Sequence, residues 1–341
     1  MNNIPGINQL NIRRWMDEKV SGIEGELTFE KILGGRSNLT FTLKDSSTRK
    51  WVLRRPPLGQ VLATAHDMSR EYRAISSLAD SNVPVPNAIG LCEDIEITGS
   101  PFYVMNFVEG VVIRDLKIAE TLPVEVRQKM GLSLMEVLAR LHDVDVDQVG
   151  LGDLGPRENY IERQLKRWRS QFEKSTTREI VNILKVHEIL ESHVPKQQGV
   201  GIVHGDYRID NTIMDDKGNV AAVLDWELCT LGDVLSDVAG VFAYNDERTA
   251  IGSSQSMSLE GFPSNEEMRS HYANISERNL EELDFYLAFN YWRLGCILEG
   301  VYSRYAAGVM GKELDSEVIE MFGNRVLIMA NLAAETAEKL S

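Results

Sequence analysis

The sequence predicts an α+β fold in two lobes, a small antiparallel sheet followed by a larger helical body. Three observations carry this prediction. Short alternating segments, separated by turn residues, crowd into the first third of the chain. Long stretches of helical periodicity dominate beyond residue 120. A single β-rich interruption, 201–226, breaks the helical half. The predicted boundary lies between 1–107 and 108–341, at Glu109-Gly110, which reads as a hinge.

Residues 7–20 read as an amphipathic leader helix, with Leu10, Trp15, Met16 and Val20 as its apolar points. Strands follow at 26–33, 39–43 and 51–55, and the tight turns between them predict an antiparallel meander. A helix is expected over 67–80, where Met68, Ile75 and Leu78 fall at helical spacing, and Val83-Pro84-Val85-Pro86 ends it. Two more strands are expected at 88–92 and 102–108. The helical half holds segments at 123–142, 157–173, 177–193, 280–304 and 315–339. Within 201–226, strands at 213–214 and 220–224 flank Asp215-Asp216-Lys217-Gly218-Asn219, a good hairpin turn. This order of elements is the layout of a kinase-like fold.

Composition narrows the function. The 341 residues carry a formal net charge of -15, which excludes a general nucleic-acid binder needing a basic face. The three cysteines, Cys92, Cys229 and Cys296, stand far apart without metal-ligand spacing, so free thiols and a reducing compartment are expected. No apolar run approaches the roughly 20 residues that span a bilayer, and Met1 to Pro5 leads into polar sequence. A cytoplasmic protein without membrane or nucleic-acid partners is the expectation; the oligomeric state is not legible.

The chemistry concentrates in His204-Gly205-Asp206-Tyr207-Arg208-Ile209-Asp210-Asn211, followed after the hairpin by Leu224-Asp225-Trp226-Glu227. Phosphoryl transfer needs a carboxylate to orient the attacking hydroxyl and oxygen ligands for a metal that neutralises phosphate. Asp206 fits the first role, and Asn211 and Asp225 the second. Arg208 adds a cation inside the loop. The alternative is structural: Asp206 capping a turn, Asn211 satisfying a loop and Asp225 ending a strand.

Upstream, Val52 and Arg54 share one face of their strand and Arg55 takes the other. Met68, Glu71, Ile75 and Leu78 put Glu71 within an apolar helix stripe, and a buried carboxylate needs a cation. Arg54 is the natural partner; the alternative is an exposed Glu71 at the edge of the stripe. Gly34, Gly35 and Ser37 sit in a turn whose amides suit phosphate, although glycine in a hairpin turn needs no ligand.

These residues resemble the aminoglycoside phosphotransferase family, a small-molecule branch of the kinase-like fold. The match is nearest to bacterial phosphotransferases similar to the domain fused to some acyl-CoA dehydrogenases. It rests on Leu53-Arg54-Arg55-Pro56-Pro57-Leu58-Gly59, Ala65-His66-Asp67-Met68-Ser69-Arg70-Glu71-Tyr72, Pro101-Phe102-Tyr103-Val104-Met105 and Glu299-Gly300-Val301-Tyr302. The resemblance implies ATP, or GTP, with Mg2+ as cofactors and a small-molecule hydroxyl as acceptor. It implies Asp206 as base, Asn211 and Asp225 on magnesium, and Arg54 with Glu71 on the phosphates. Met105, Asn106, Phe107 and Val108 would form the adenine hinge, and Asp237 would brace the catalytic loop.

Two departures matter. Arginine stands at position 54 where lysine is usual. A helix expected from about Leu231 leaves no room for an activation segment, which argues for a small acceptor. Arg293, Ile297, Gly300 and Arg304 share a helix face, where two arginines would bind an anionic substrate or form surface salt bridges. The resemblance implies a hydroxyacyl-type acceptor at least as readily as an aminoglycoside. A nucleotide-binding module without turnover is the rival reading, and a hydrolase using Asp206 and Asp225 gives no role to Asn211, Arg54 or Glu71.

Overall fold

A computed structural model of the chain describes residues 4–32, 38–58, 67–249, 254–308 and 316–340. Helix α1 (Gln9–Lys19) leads into β1 (Thr28–Lys31), β2 (Leu39–Lys44) and β3 (Lys50–Arg55). Helix α2 (Met68–Leu78), β4 (Ala88–Cys92), the single turn α3 (Ile95–Thr98) and β5 (Phe102–Asn106) follow. The five strands make one antiparallel sheet in the order β1-β2-β3-β5-β4, so the meander holds for three strands and β5 inserts beside β3.

Strand alternation divides this sheet between two cores. In register, Val52 faces Met105 and Arg54 faces Tyr103 across β3 and β5. Val52, Tyr103 and Met105 pack with Met68, Ile75 and Leu78 of α2, in the core that continues into the helical half. Phe41, Leu43, Trp51, Leu53, Phe102 and Val104 instead pack with Ile12, Trp15 and Met16 of α1. Trp15 meets Phe102 edge to face at 5.0 Å between ring centroids. Leu10, expected on the apolar face of this helix, is 54% exposed; Ile12 takes the fully buried place.

The helical half contains α4 (Leu116–Thr121), α5 (Val124–His142), α6 (Tyr160–Ser175) and α7 (Val181–Ser192). After β6 (Gly201–Val203), β7 (Thr212–Met214), β8 (Val220–Val223) and β9 (Thr230–Gly232) come α8 (Leu235–Asn245) and α9 (Ser254–Met257). The chain closes with α10 (Asn265–Ile275), α11 (Leu283–Ala306) and α12 (Ser316–Ala337). The fully buried Phe285, Phe289 and Trp292 make α11 the centre of this half, packed against α6, α7, α8 and α12.

The β7–β8 hairpin forms as its turn chemistry demands. Asp215 accepts the backbone N–H groups of Lys217 and Asn219 at 2.9 and 2.7 Å, and Gly218 adopts φ 81°. One expectation fails here. Leu231 starts no helix: it lies in β9, which pairs antiparallel with β6, and α8 begins at Leu235. Cys229, Leu231 and Gly232 are buried, Thr230 is half-buried and β-branched, and pairing with β6 holds the stretch as a strand.

Among the described residues one backbone hydrogen bond joins the two lobes, Val223 N–H donating to Pro84 O at 2.8 Å, and just past the boundary Val111 pairs with Met214. Replacement of Trp15 by alanine should cost about 3 kcal/mol of stability, whereas Leu10→Ala should stay within about 0.5 kcal/mol. Denaturant midpoints measure both.

Candidate active site

The catalytic loop hangs from a buried carboxylate. Asp237, in the first turn of α8, is 3% exposed and accepts the backbone N–H groups of His204 at 2.5 Å and Gly205 at 3.0 Å. Behind it His142, the last residue of α5, places Nε2 3.8 Å from Asp237, and its Nδ1 meets the Tyr272 hydroxyl at 2.8 Å. Burial pushes the Asp237 carboxyl upward, but the nearby His142 and His204 rings and the backbone N–H donors win, and its pKa is lowered. Burial lowers that of His142. Gly205 holds φ 84°, a conformation side chains rarely take, and an added Cβ would sit 3.1 Å from Leu228 O.

His204 ties the loop to the strand end that carries Asp225. Its Nδ1 accepts the Asp206 N–H at 3.3 Å, so Nε2 carries the proton and donates to Leu224 O at 2.9 Å. The ring lies between Tyr207 and Trp226, with centroids at 5.7 and 4.9 Å.

Asn211 fixes the Asp206 carboxylate. Its amide nitrogen donates to Asp206 O at 2.9 Å and to Asp206 Oδ2 at 2.8 Å, leaving its own Oδ1 free of protein donors among the described residues. Arg208 Nε approaches Asp206 Oδ2 at 3.3 Å and Nη1 binds Asp210 Oδ2 at 2.7 Å, which makes Arg208 a brace of the loop. The Leu224 N–H donates to Asn211 O at 2.8 Å, bringing Asn211 beside Asp225. Asp225 itself sits at φ 65°, ψ 61°, a left-handed conformation that a short polar residue tolerates.

Arg54 crosses from sheet to loop. Its Nε lies 2.8 Å from Glu71 Oε2 in ion-pair contact, with the N–H not aligned for a hydrogen bond. Its Nη2 donates to Asp225 Oδ1. Glu71 is fully buried, and it also accepts from Asn38 Nδ2 at 2.8 Å and Tyr103 OH at 3.0 Å. Burial raises the Glu71 pKa and Arg54 opposes that rise. For Arg54, burial works against the charge, but Tyr103, Glu71, Asp225 and Glu227 together raise its pKa. Asn38 also bonds Glu227 at 3.2 Å.

The fold therefore brings Asp206, Arg208, Asn211, Asp225, Arg54 and Glu71 to one cleft, with Val52 and Met105 on the sheet face that carries Arg54. Asn106 is exposed, while Phe107 and Val108 are half-buried, Phe107 beneath the Lys50 ammonium at 4.7 Å. Gly34, Gly35 and Ser37 lie outside the described residues. Sequence reasoning missed Asn38, Tyr103, His142, Glu227 and Tyr244. Only Tyr103 had a usable signal, its alternation with Met105 on the strand beside Arg54.

The donor set suits magnesium. Three carboxylates, Glu71, Asp225 and Glu227, act on the single guanidinium of Arg54, an excess of negative charge that a divalent cation offsets. Asn211 Oδ1 and Asp225 are the hard oxygens that would hold it, and magnesium takes few protein ligands when phosphate and water complete its shell. Bound there, it would neutralise phosphate charge.

A pH dependence follows from the brace. A histidine whose folded pKa is depressed below 6.5 destabilises the native state as pH falls through that value, because only the unfolded chain readily takes the proton. Asp237, also depressed, extends the loss toward more acid pH. His142→Gln should reduce the decline in unfolding midpoint below about pH 6.5, leaving a residue from His187, which burial also lowers. Thermal melts across pH measure it.

Comparison with known proteins follows this geometry. The family model described as "Phosphotransferase enzyme family", APH, matches residues 28–259. Acyl-CoA dehydrogenase family member 10 of Mus musculus is 35% identical over 316 residues, covering 89% of this chain and 29% of that protein. The chain thus spans under a third of that relative's length. A crystal structure from Ralstonia eutropha JMP134, named for the aminoglycoside phosphotransferases, superposes with a TM-score of 0.83 at 32% identity, covering 97% of this chain and 98% of that one. An amicoumacin kinase in complex with AMP-PNP, Ca2+ and Ami gives 0.61 at 14% identity over 96% and 94% of the two chains, a likeness of fold alone. The family phosphorylates hydroxyls of small molecules with ATP or GTP. Sheet lobe, helical lobe and catalytic loop agree with the match: this chain belongs to the APH phosphotransferase enzyme family.

Proposed function

We propose that the chain transfers the γ-phosphoryl group of ATP, with GTP as an alternative donor, to a hydroxyl of a small molecule. The observation that carries this reading is the joining of Asp206, Asn211 and Asp225 by direct hydrogen bonds and one backbone link. Residues 1–107 serve the nucleotide and residues 108–341 the catalytic loop and the acceptor. Asp206 receives the hydroxyl proton as the new O–P bond forms. The bond from the γ-phosphorus to the bridging oxygen breaks, and the nucleoside diphosphate leaves. Arg54, held by Glu71, meets the phosphates, and Val52 with 105–108 lines the base. Positioning and charge, rather than covalent chemistry, supply the acceleration.

The acceptor is a hydroxylated metabolite of hydroxyacyl or other anionic type in preference to an aminoglycoside. The names of the acyl-CoA dehydrogenase relatives support that choice. A second reading, nucleotide binding without turnover, draws on the Arg54–Asp225 contact, which occupies one oxygen of the metal-side carboxylate.

Asp206→Ala should abolish phosphoryl transfer with an unchanged circular-dichroism spectrum; transfer that survives the substitution removes Asp206 as base. Arg54→Ala should weaken ATP binding about tenfold or more by calorimetry, and unchanged affinity takes Arg54 off the phosphates. A screen of ATP consumption across hydroxyacyl thioesters, amino alcohols, sugars and aminoglycosides separates the two readings. Nucleotide binding without consumption by any acceptor favours the module without turnover.

A further inference from the structure

Helix α2 carries Glu71 into the cleft, and the residue before it reaches the other way, from the sheet lobe to the helical one. Arg70 is half-buried. Its Nη2 donates to Cys229 O and to Leu154 O, each at 2.7 Å, and its Nε donates to Cys229 O at 3.2 Å. The two carbonyls converge because their segments lie against each other: a Cβ on Gly155 would collide with the Thr230 side chain. One turn further along α2, Arg73 donates to Gly150 O at 2.6 Å and pairs with Asp153.

A stiff path joins the Cys229 carbonyl to the site. The Cys229 N–H closes the 3-10 turn Trp226–Leu228 on Trp226 O at 3.2 Å. Trp226 is fully buried, and its indole N–H donates to Val223 O at 3.1 Å. Asp225 stands immediately before that turn and accepts from Arg54, whose Nε lies 2.8 Å from Glu71. Arg54, Glu71, Arg70, Cys229, Trp226 and Asp225 therefore form a closed ring, and the Arg70 guanidinium is one of its spans. Asn38 crosses the ring, bonding Glu71 at 2.8 Å and Glu227 at 3.2 Å.

A closed ring fixes distances that an open chain leaves to side-chain freedom. Its weakest span under load is the contact between Arg54 and Asp225. Phosphate engages the first and a metal the second, so nucleotide binding draws both away from each other. Arg70 bonds to neither of them. Its acceptors are backbone carbonyls, and a planar fork addresses two of them in fixed directions. It keeps α2 in register with the Asp225 segment while the other span opens.

We infer that Arg70 is a positioning residue for nucleotide binding, holding α2 so that Glu71 directs Arg54 toward the phosphates. The inference rests on the phosphotransferase reading and adds to it a residue that touches no substrate.

Calorimetry of Mg2+–ATP binding to the full chain tests this. Arg70→Met, which keeps the apolar stem and loses every donor, should weaken binding about tenfold, and Arg70→Lys, which keeps the charge and loses the fork, about threefold. In an Arg54→Ala background neither substitution should change the affinity further, because Arg70 acts through Arg54. Wild-type affinity in Arg70→Met overturns the inference, and so does an equal loss with and without the Arg54 side chain. A merely structural role would lower the unfolding midpoint and leave the affinity alone. If Arg70→Met fails to fold, Arg70→Lys carries the same two comparisons, and wild-type affinity there overturns the inference. A wild type that does not bind Mg2+–ATP removes the phosphotransferase reading instead. Hydrogen exchange then judges the ring by itself: faster exchange of the α2 amides in Arg70→Met upholds it, and unchanged exchange overturns it.

Discussion

Arg54 is the contact on which the cleft depends. It sits on β3, pairs with Glu71 from α2 and reaches Asp225 at the end of the catalytic hairpin, so one guanidinium joins sheet, helix and loop. An ammonium is a point charge, whereas a planar fork addresses two carboxylates in different directions. Arginine in the usual place of lysine therefore has a structural reason in this chain. Its position also sets the electrostatics, since the carboxylates of Glu71, Asp225 and Glu227 all act on that cation.

A second constraint lies behind the first. Asp237 holds the backbone of His204 and Gly205, and His142 and Tyr272 stand behind it. From that anchor the loop places Asp206, and Asn211 ties the carboxylate to its own backbone. His204 carries the same order across to Leu224, next to Asp225. Asp206, Asn211 and the end of the strand that carries Asp225 are thus positioned by one connected set of hydrogen bonds. Such preorganisation is what phosphoryl transfer asks of a protein.

Two buried arginines show opposite solutions to burial. Arg54 is surrounded by acids of its own chain, while Arg293 donates to one amide oxygen among the described residues.

The sequence by itself determined the order of lobes, the catalytic loop and the pairing of Arg54 with Glu71, because each is written in local periodicity or fixed spacing. Glu71 lay on an apolar stripe, and a buried carboxylate requires a cation wherever the fold supplies one. Strand alternation put Val52 with Arg54 and would equally have placed Tyr103 beside Met105. Tertiary structure alone decided the rest. The pairing of β6 with β9 turned Leu231 into a strand, since the partner lies about thirty residues away and no local pattern announces it. Asn38, His142, Glu227 and Tyr244 enter the site through contacts made far along the chain. Leu10 and Ile12 exchanged roles because the sheet face, and not the helix, chooses which side of α1 is buried. That Arg293 meets only the Asn290 oxygen among the described residues is likewise a property of what surrounds it, and spacing along one helix carries no record of that.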